Sequence, residues 1–160
     1  MKIAKNVLKI IVYLFIMEDK SQYKFFIVDD HVFSAKMHVQ FLKNLGLDDI
    51  TYYSNGTDCL DNLQENPDVI FLDHHMEDIT GLEVLKKIKK INPNIYVVMV
   101  SGEANVKTAV DALKFGAFDY ILKDELVADK IKTTLNKIII VKEELKKANP
   151  KFIKKLLLLF

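Results

Sequence analysis

Short, almost uninterrupted apolar runs separated by helical patterns constrain the fold of this chain more than any other feature. The runs lie at residues 23–28, 50–53, 69–72, 95–100 and 118–122 and give a series of five predicted strands. A strand with one face in water would alternate apolar and polar residues instead. Continuous apolar strands are buried on both faces, so the pattern predicts a parallel sheet covered by helices.

Amphipathic helical patterns follow each of these strands. They span residues 32–45, 56–65, 81–91, 105–115 and about 125–148. Gly46, Asn66-Pro67, Asn92-Pro93 and Gly116 mark their ends, since Gly favours the left-handed cap of a helix and Pro cannot continue one. Strands alternating with helices through short loops predict a doubly wound α/β fold in a single domain.

Length, charge and cysteine content narrow the class of protein. A chain of 160 residues, half of them apolar, is enough for one domain with short extensions. Its formal net charge of +1 gives no indication of nucleic-acid binding. The single cysteine, Cys59, excludes an internal disulfide, and this favours a reducing, cytoplasmic compartment. Cys59 itself is interpreted as a small apolar helix residue.

Both termini extend beyond the predicted domain, which is assigned to residues 21–142. Residues 1–20 are basic and then carry an eight-residue apolar run at 10–17, but charged residues 18–20 stand where a signal peptide has small ones. Three interpretations stay open: a mis-called gene start with Met17 as the true first residue, a short amphipathic extension that docks on the domain or a partner, or a targeting or membrane segment. Residues 143–160 form an extended last helix and a basic, then apolar tail, for which membrane contact, partner docking or the remnant of an output domain are alternatives.

Polar residues stand where four of the five predicted strands end. Asp29 and Asp30 follow the first strand, Asp73 the third, Ser101 the fourth and Lys123 the fifth. In doubly wound sheets these carboxyl ends converge on the functional crevice. Converging carboxylates repel one another, and Mg²⁺ relieves the repulsion because it prefers oxygen ligands.

The same residues suggest phosphoryl chemistry. A lysine ammonium and a serine hydroxyl pair well with phosphoryl oxygens, and a carboxylate can attack phosphorus as a covalent nucleophile. Asp73, on the third and central strand, is the candidate nucleophile.

These motifs resemble the receiver domain of two-component response regulators, the class typified by the chemotaxis response regulator. The resemblance covers residues 23 to about 142 and rests on Asp29-Asp30, the segment 73–81, Ser101 and the segment GAFDYILK at 116–123. It implies a flavodoxin-like, five-stranded parallel sheet with strand order 2-1-3-4-5.

The resemblance also implies a role for each residue of the acidic cluster. Asp73 would accept a phosphoryl group from a histidine kinase, or exchange one with a histidine phosphotransfer protein. Asp29 and Asp30 would hold Mg²⁺ together with Asp73 and the backbone carbonyl of His75. Lys123 would contact the phosphoryl group.

A switch is implied as well. Ser101 would move toward the phosphoryl group and Tyr120 would turn inward, so that the surface carried by residues 105–122 changes its preference for a downstream protein partner. The protein is expected to be a monomer or a weak dimer.

Two residues depart from the family pattern. Glu77 and Asp124 stand where the family usually has proline, and both add negative charge near the predicted pocket. A Lys-Asp peptide strongly prefers the trans form, so the side chain of Lys123 is open to a different orientation.

The leading interpretation is a phosphorylation-activated signalling switch with no DNA-binding output domain, and not an enzyme with an external substrate. One alternative is a pseudo-receiver that binds partners without phosphorylation. Others are a flavin-binding protein, which would need a Ser/Thr/Gly-rich loop after the first strand, and a phosphoester hydrolase that uses Asp73 as nucleophile. His74 and His75 are not expected to share a metal ion, because neighbouring side chains in an extended segment point to opposite sides.

Overall fold

The computed structural model describes residues 22–147 of the chain, with side chains to residue 145. Its centre is one sheet of five strands, which are β1 (Phe25–Val28), β2 (Ile50–Tyr53), β3 (Val69–Leu72), β4 (Tyr96–Ser101) and β5 (Asp119–Leu122). The strand order is β2-β1-β3-β4-β5 and every neighbouring pair is parallel. The predicted sheet and its 2-1-3-4-5 order are therefore confirmed.

Five α-helices connect and follow the strands within the described residues. They are α1 (Val32–Asn44), α2 (Gly56–Asp61), α3 (Gly81–Ile91), α4 (Val106–Lys114) and α5 (Val127–Lys147). The pattern at 56–65 was expected to be one helix, but α2 ends at Asp61 and a separate 3₁₀ turn covers Leu63–Glu65. Asn66 then adopts a left-handed backbone with φ of 54°, and this conformation ends the segment just before Pro67.

Three of the helices begin where a polar side chain accepts a hydrogen bond from the first turn. Asn55, Thr80 and Asn105 each accept a bond from the backbone N–H three residues later, at the starts of α2, α3 and α4. Thr80 forms a complete capping box with Glu83. These caps satisfy backbone donors that a helix leaves free, and so fix where the loops after β2, β3 and β4 stop.

The sheet divides its apolar side chains between two faces. Alternate residues of three strands, among them Phe26, Ile70 and Val97, pack in one cluster with buried residues of α2, α3 and α4. Phe25, Ile27 and Phe71 point to the other face, and α1 packs on β1 and β2. Both faces are buried, which explains why the strands read as continuous apolar runs.

The compact unit that carries the sheet spans Lys20–Ile131 and includes the first residues of α5. A second unit contains the rest of α5, in which Leu135, Ile138 and Ile139 are buried. In the part of the chain that the structure describes, no helix is both long and apolar enough to cross a membrane. The predictions for residues 1–20 and for the tail beyond residue 147 lie outside the described residues.

The register of the sheet brings the acidic residues together. Val28 of β1 pairs with Leu72 of β3, so Asp29 and Asp73 follow two neighbouring strands at the same level. Ser101 of β4 pairs with Leu122 of β5, and Lys123 comes next in the chain. All four positions lie at the carboxyl edge of the sheet, where a parallel fold forms its crevice.

Candidate functional site

Three carboxylates meet at the carboxyl ends of β1 and β3. Asp29 and Asp73 are buried, with exposures of 2% and 7%, and Asp30 is more open. One carboxylate oxygen from each lies within 4.8 Å of the other two. The structure thus brings together the three acids that the sequence predicts as a cluster.

Lys123 lies between two of these carboxylates. Its Nζ atom is 2.8 Å from Oδ2 of Asp29 and 3.1 Å from Oδ1 of Asp73. The peptide between Lys123 and Asp124 is trans, so the absence of the usual proline does not turn the ammonium away from the acids. Only about a fifth of the lysine side chain, 21%, is exposed, and the ammonium therefore offsets much of the buried negative charge.

Asp29 is held by more than its ion pair. Its Oδ1 atom accepts a hydrogen bond from the backbone N–H of His31, and Oδ2 accepts one from the hydroxyl of Ser34. Ser34 was not identified from the sequence, because a serine one turn into a helix is common on solvated surfaces. The two bonds hold the carboxylate in the position from which it pairs with Lys123.

Burial and charge act in opposite directions on the pKa values of this cluster. Burial raises the pKa of Asp73, the ammonium of Lys123 lowers it, and the carboxylate of Asp29 raises it again, with a net upward shift. Burial alone would lower the pKa of Lys123, but the hydrogen bond to Asp29 and the charge of Asp73 raise it. Lys123 therefore stays charged, and Asp73 is a more basic carboxylate than an ordinary aspartate.

Ser101 and Tyr120 are joined through Glu103. Ser101 is fully buried at the end of β4, and its Oγ atom accepts a hydrogen bond of 3.1 Å from the backbone N–H of Glu103. The hydroxyl of Tyr120 donates a 3.0 Å hydrogen bond to the backbone carbonyl of Glu103. The two predicted switch residues are thus connected, and the residue that connects them was missed in the sequence.

A cavity of about 530 Å³ opens above the cluster. It is lined by Asp30, His31, Asp73, His75, Gly102, Glu103 and Lys123. Asp73 is therefore reachable from solvent despite its burial, and carboxylate, imidazole and ammonium groups surround the approach to it.

The two adjacent histidines lie closer together than the sequence suggests. Their ring centroids are 4.6 Å apart in an edge-to-face arrangement, so the expectation that they point to opposite sides is wrong. The strand ends at Leu72 and the backbone bends at His74, and the alternation of an extended chain no longer applies there. Nε2 of His75 also lies 3.3 Å from a carboxylate oxygen of Glu103.

The loop between β3 and α3 is fixed at its far end. The N–H of Gly81 donates a 2.8 Å hydrogen bond to the carbonyl of His74, and a Cβ atom at Gly81 would collide with the backbone carbonyl of Asp73. Asp78 accepts hydrogen bonds from the N–H and hydroxyl of Thr57 at the start of α2. Only glycine fits the close approach, so the backbone of Asp73 depends directly on residue 81.

Neither of the two residues that replace the expected prolines lines the cavity. Asp124 pairs with Lys130, and its other oxygen accepts a hydrogen bond from the N–H of Leu126 near the start of α5. Glu77 is exposed and is not among the cavity residues. The extra negative charge of Asp124 is thus paired outside the pocket.

The donor set of the cluster suits a hard divalent cation. Aspartate oxygens are the ligands that Mg²⁺ prefers, and Mg²⁺ keeps several waters when one or two carboxylates bind it. The clustered oxygens of Asp29, Asp30 and Asp73 fit this description, with Asp30 at the cavity wall. The predicted contribution of the His75 backbone carbonyl stays a prediction.

Comparisons with known proteins agree with this geometry. The family described as the response regulator receiver domain matches residues 25–136. The Vibrio campbellii luminescence regulatory protein LuxO is 32% identical over 113 residues, which cover 70% of this chain and 24% of LuxO. The matched region is therefore about a quarter of the length of that relative.

Solved structures of receiver domains share the fold of this chain. A response regulator receiver domain protein from Clostridium thermocellum is 28% identical with a TM-score of 0.67, and the alignment covers 77% of this chain and 98% of that one. The signal receiver domain of a putative LuxO repressor protein from Vibrio parahaemolyticus shares the fold, with a TM-score of 0.72 at 23% identity over 79% of this chain and 97% of that one. The sheet order, the acidic cluster and the family match lead to one conclusion: the chain belongs to the response regulator receiver domain family.

Proposed function

We propose that the protein is a phosphorylation-activated signalling switch in which Asp73 accepts the phosphoryl group. The observation that carries the proposal is the position of Lys123, whose ammonium lies within 3.1 Å of both Asp29 and Asp73 at the floor of an open cavity. A structural ion pair would not require a third carboxylate or a cavity of this size. The raised pKa of Asp73 also suits a nucleophile.

The transfer needs an in-line attack on phosphorus. A carboxylate oxygen of Asp73 forms the new P–O bond while the P–N bond of a phosphohistidine, or the P–O bond of acetyl phosphate, breaks and its electron pair leaves with the donor. Lys123 would exchange part of its pairing with Asp73 for a phosphoryl oxygen, which places positive charge where negative charge develops. Asp29, Asp30 and Asp73 would hold Mg²⁺, and the ion when bound would neutralise charge on the phosphoryl oxygens.

The output would pass through the Ser101–Glu103–Tyr120 connection. Phosphorylation would draw the Ser101 hydroxyl from the N–H of Glu103 toward the phosphoryl group, and the loop that holds the Tyr120 hydroxyl would move with it. Residues 105–122 follow directly. Their exposed apolar side chains, Val106, Val110, Leu113 and Phe115, offer a surface for a downstream protein.

A histidine kinase or a histidine phosphotransfer protein is the phosphoryl donor in this proposal, because receiver domains in general take their phosphoryl group from such proteins. We propose no external substrate, only self-catalysed phosphorylation and dephosphorylation. A cytoplasmic location belongs to the same proposal and is compatible with the free, buried thiol of Cys59. Action without an output domain stays a prediction, since the relatives are about four times longer than the matched region.

The test is the intact mass of the protein after incubation with acetyl phosphate and Mg²⁺. The wild type should gain one phosphoryl group, which hydroxylamine removes because it is an acyl phosphate, and Asp73→Asn should gain none. Asp61→Asn is the matched control, since Asp61 is an exposed aspartate of α2 away from the cavity. It should gain the group as the wild type does.

The opposite result is equally informative. If the wild type binds Mg²⁺ but gains no mass, the proposal fails and a pseudo-receiver that binds partners without phosphorylation takes its place. A gain that persists in Asp73→Asn would show that another residue is the acceptor.

A further inference from the structure

We propose that His74, His75 and Glu103 form a binding site for a divalent transition-metal ion of the Zn²⁺ type, separate from the carboxylate cluster. One ring nitrogen of each histidine and one oxygen of Glu103 lie within 4.8 Å of one another. Two imidazoles and a carboxylate are the donor set of Zn²⁺ sites, whereas the all-oxygen set of the aspartates suits Mg²⁺. The proposal does not depend on phosphorylation of Asp73.

One pair of the proposed ligands, His75 and Glu103, already has the separation expected of two ligands of one ion. Zn–N and Zn–O distances of about 2.0–2.2 Å place two ligand atoms of a tetrahedral site roughly 3.3–3.6 Å apart. Nε2 of His75 and Oε2 of Glu103 are 3.3 Å apart. These two side chains are 66% and 39% exposed, so they have room to adjust around an ion while water fills the fourth position.

A second observation concerns the ring of His74. Its Nδ1 atom is buried, and within residues 22–145 no hydrogen-bond partner satisfies it. Buried polar atoms without a partner are uncommon and cost free energy. A metal ion bound by that nitrogen would supply the missing partner.

The backbone holds these ligands in place from both sides. His74 and His75 follow β3, and the carbonyl of His74 is fixed by the N–H of Gly81. Glu103 follows β4, and its backbone is fixed by Ser101 and Tyr120. A bound ion would therefore link the loop after β3 to the loop after β4 across the mouth of the cavity.

The 160-residue chain offers a sharp test because it has four histidines. His38 is buried and His31 is an exposed cavity residue outside the cluster. Titration of Zn²⁺ against a chromogenic chelator should show one ion per chain, and Co²⁺ should give the strong visible bands of tetrahedral coordination. His75→Ala and Glu103→Gln should each weaken binding at least about tenfold, since even partners of the ligands usually cost 10–100-fold.

Two control variants decide between sites. His31→Ala should keep the Zn²⁺ affinity and the Co²⁺ bands, as should Asp30→Asn, which weakens the carboxylate cluster. Loss of binding in Asp30→Asn with retention in His75→Ala would place the ion among the aspartates and overturn the proposal. Equal affinity in all variants, or no saturable binding by the wild type, would overturn it as well.

A stability readout checks the link between the two loops. Zn²⁺ should raise the melting temperature of the wild type, because an ion that binds only the folded state stabilises it. The same addition to His75→Ala should give no comparable increase. An equal increase in both proteins would contradict the assigned ligands.

Discussion

Replacing Lys123 by methionine tests the electrostatic balance of the pocket. The substitution keeps the aliphatic length and leaves Asp29 and Asp73, both less than a tenth exposed, without their ammonium. Removal of one partner from a buried ion pair costs about 3–5 kcal/mol. The cavity admits water on one side, so we expect the lower end, about 3 kcal/mol. With a urea m-value of about 1.5 kcal/mol/M, the unfolding midpoint should fall by about 2 M.

The loss of stability in Lys123→Met should depend on pH, and its direction follows from the pKa of Asp73. The pKa of Asp73 is already raised in the folded wild type, and without Lys123 it should rise further. A group whose folded pKa exceeds its unfolded value of about 3.9 destabilises the folded state as pH rises through the folded pKa. The deficit of Lys123→Met should therefore be largest at neutral pH and smaller in mildly acidic buffer.

The assay is urea unfolding of matched variants followed by circular dichroism. Lys107→Met, at an exposed lysine of α4, should stay within about 0.5 kcal/mol of the wild type. The double variant Asp29→Asn/Lys123→Met should recover part of the loss, because it removes one of the uncompensated charges. A midpoint for Lys123→Met within about 0.3 M of the wild type, or a deficit that does not change with pH, would refute the reasoning.

Two further variants test the loop that holds the acceptor. Gly81→Ala should destabilise the fold by at least about 2 kcal/mol and impair phosphorylation, since the new Cβ collides with the backbone of Asp73. Gly102→Ala is the control, because a Cβ there meets nothing within 4 Å. Equal melting temperatures for the two variants would contradict the collision. Burial alone would raise the pKa of Asp78, but hydrogen bonds led by the Thr57 hydroxyl lower it to about 2. Because Asp78 is exposed, the lowered pKa should add only about 1 kcal/mol to the free energy of unfolding. That contribution is present above pH 3.8 and is lost as pH falls toward 2. Asp78→Asn should remove that pH dependence in acid unfolding.

The fold was predictable because its determinants are local and repeated. Apolar runs such as 69–72 and helix starts such as Thr80 each carry their own pattern, and a parallel sheet leaves few topologies once they alternate. The convergence of Asp29, Asp73 and Lys123 followed from the same argument, since carboxyl ends of parallel strands share one edge. The break between Asp61 and Leu63 was not predictable, because Asn62 interrupts the helix through its backbone conformation.

The positions of the His74 and His75 rings could not be predicted from the sequence either, because they too depend on the local backbone conformation. Their directions depend on where β3 ends, and the strand stops one residue before Asp73. A bend of the backbone at His74 then brings the two rings to 4.6 Å. Alternation of side chains is a property of extended backbone alone, and loop geometry is set by distant contacts such as that of Gly81.

Glu103 shows most clearly what a sequence pattern leaves out. Its bonds to Ser101 and Tyr120 use the backbone N–H and carbonyl, which every residue except proline offers, so the side chain at position 103 gives no sign of that role. The carboxylate of Glu103 contacts His75 through one oxygen and accepts a hydrogen bond from the side-chain amide of Asn105 through the other. Glu103→Gln therefore separates the two functions: the bonds to Ser101 and Tyr120 should survive, while the proposed metal site should not. If the variant keeps acetyl-phosphate labelling of Asp73 and loses Zn²⁺ binding, then the backbone of Glu103 serves the phosphorylation switch and its carboxylate serves the metal site, independently of each other.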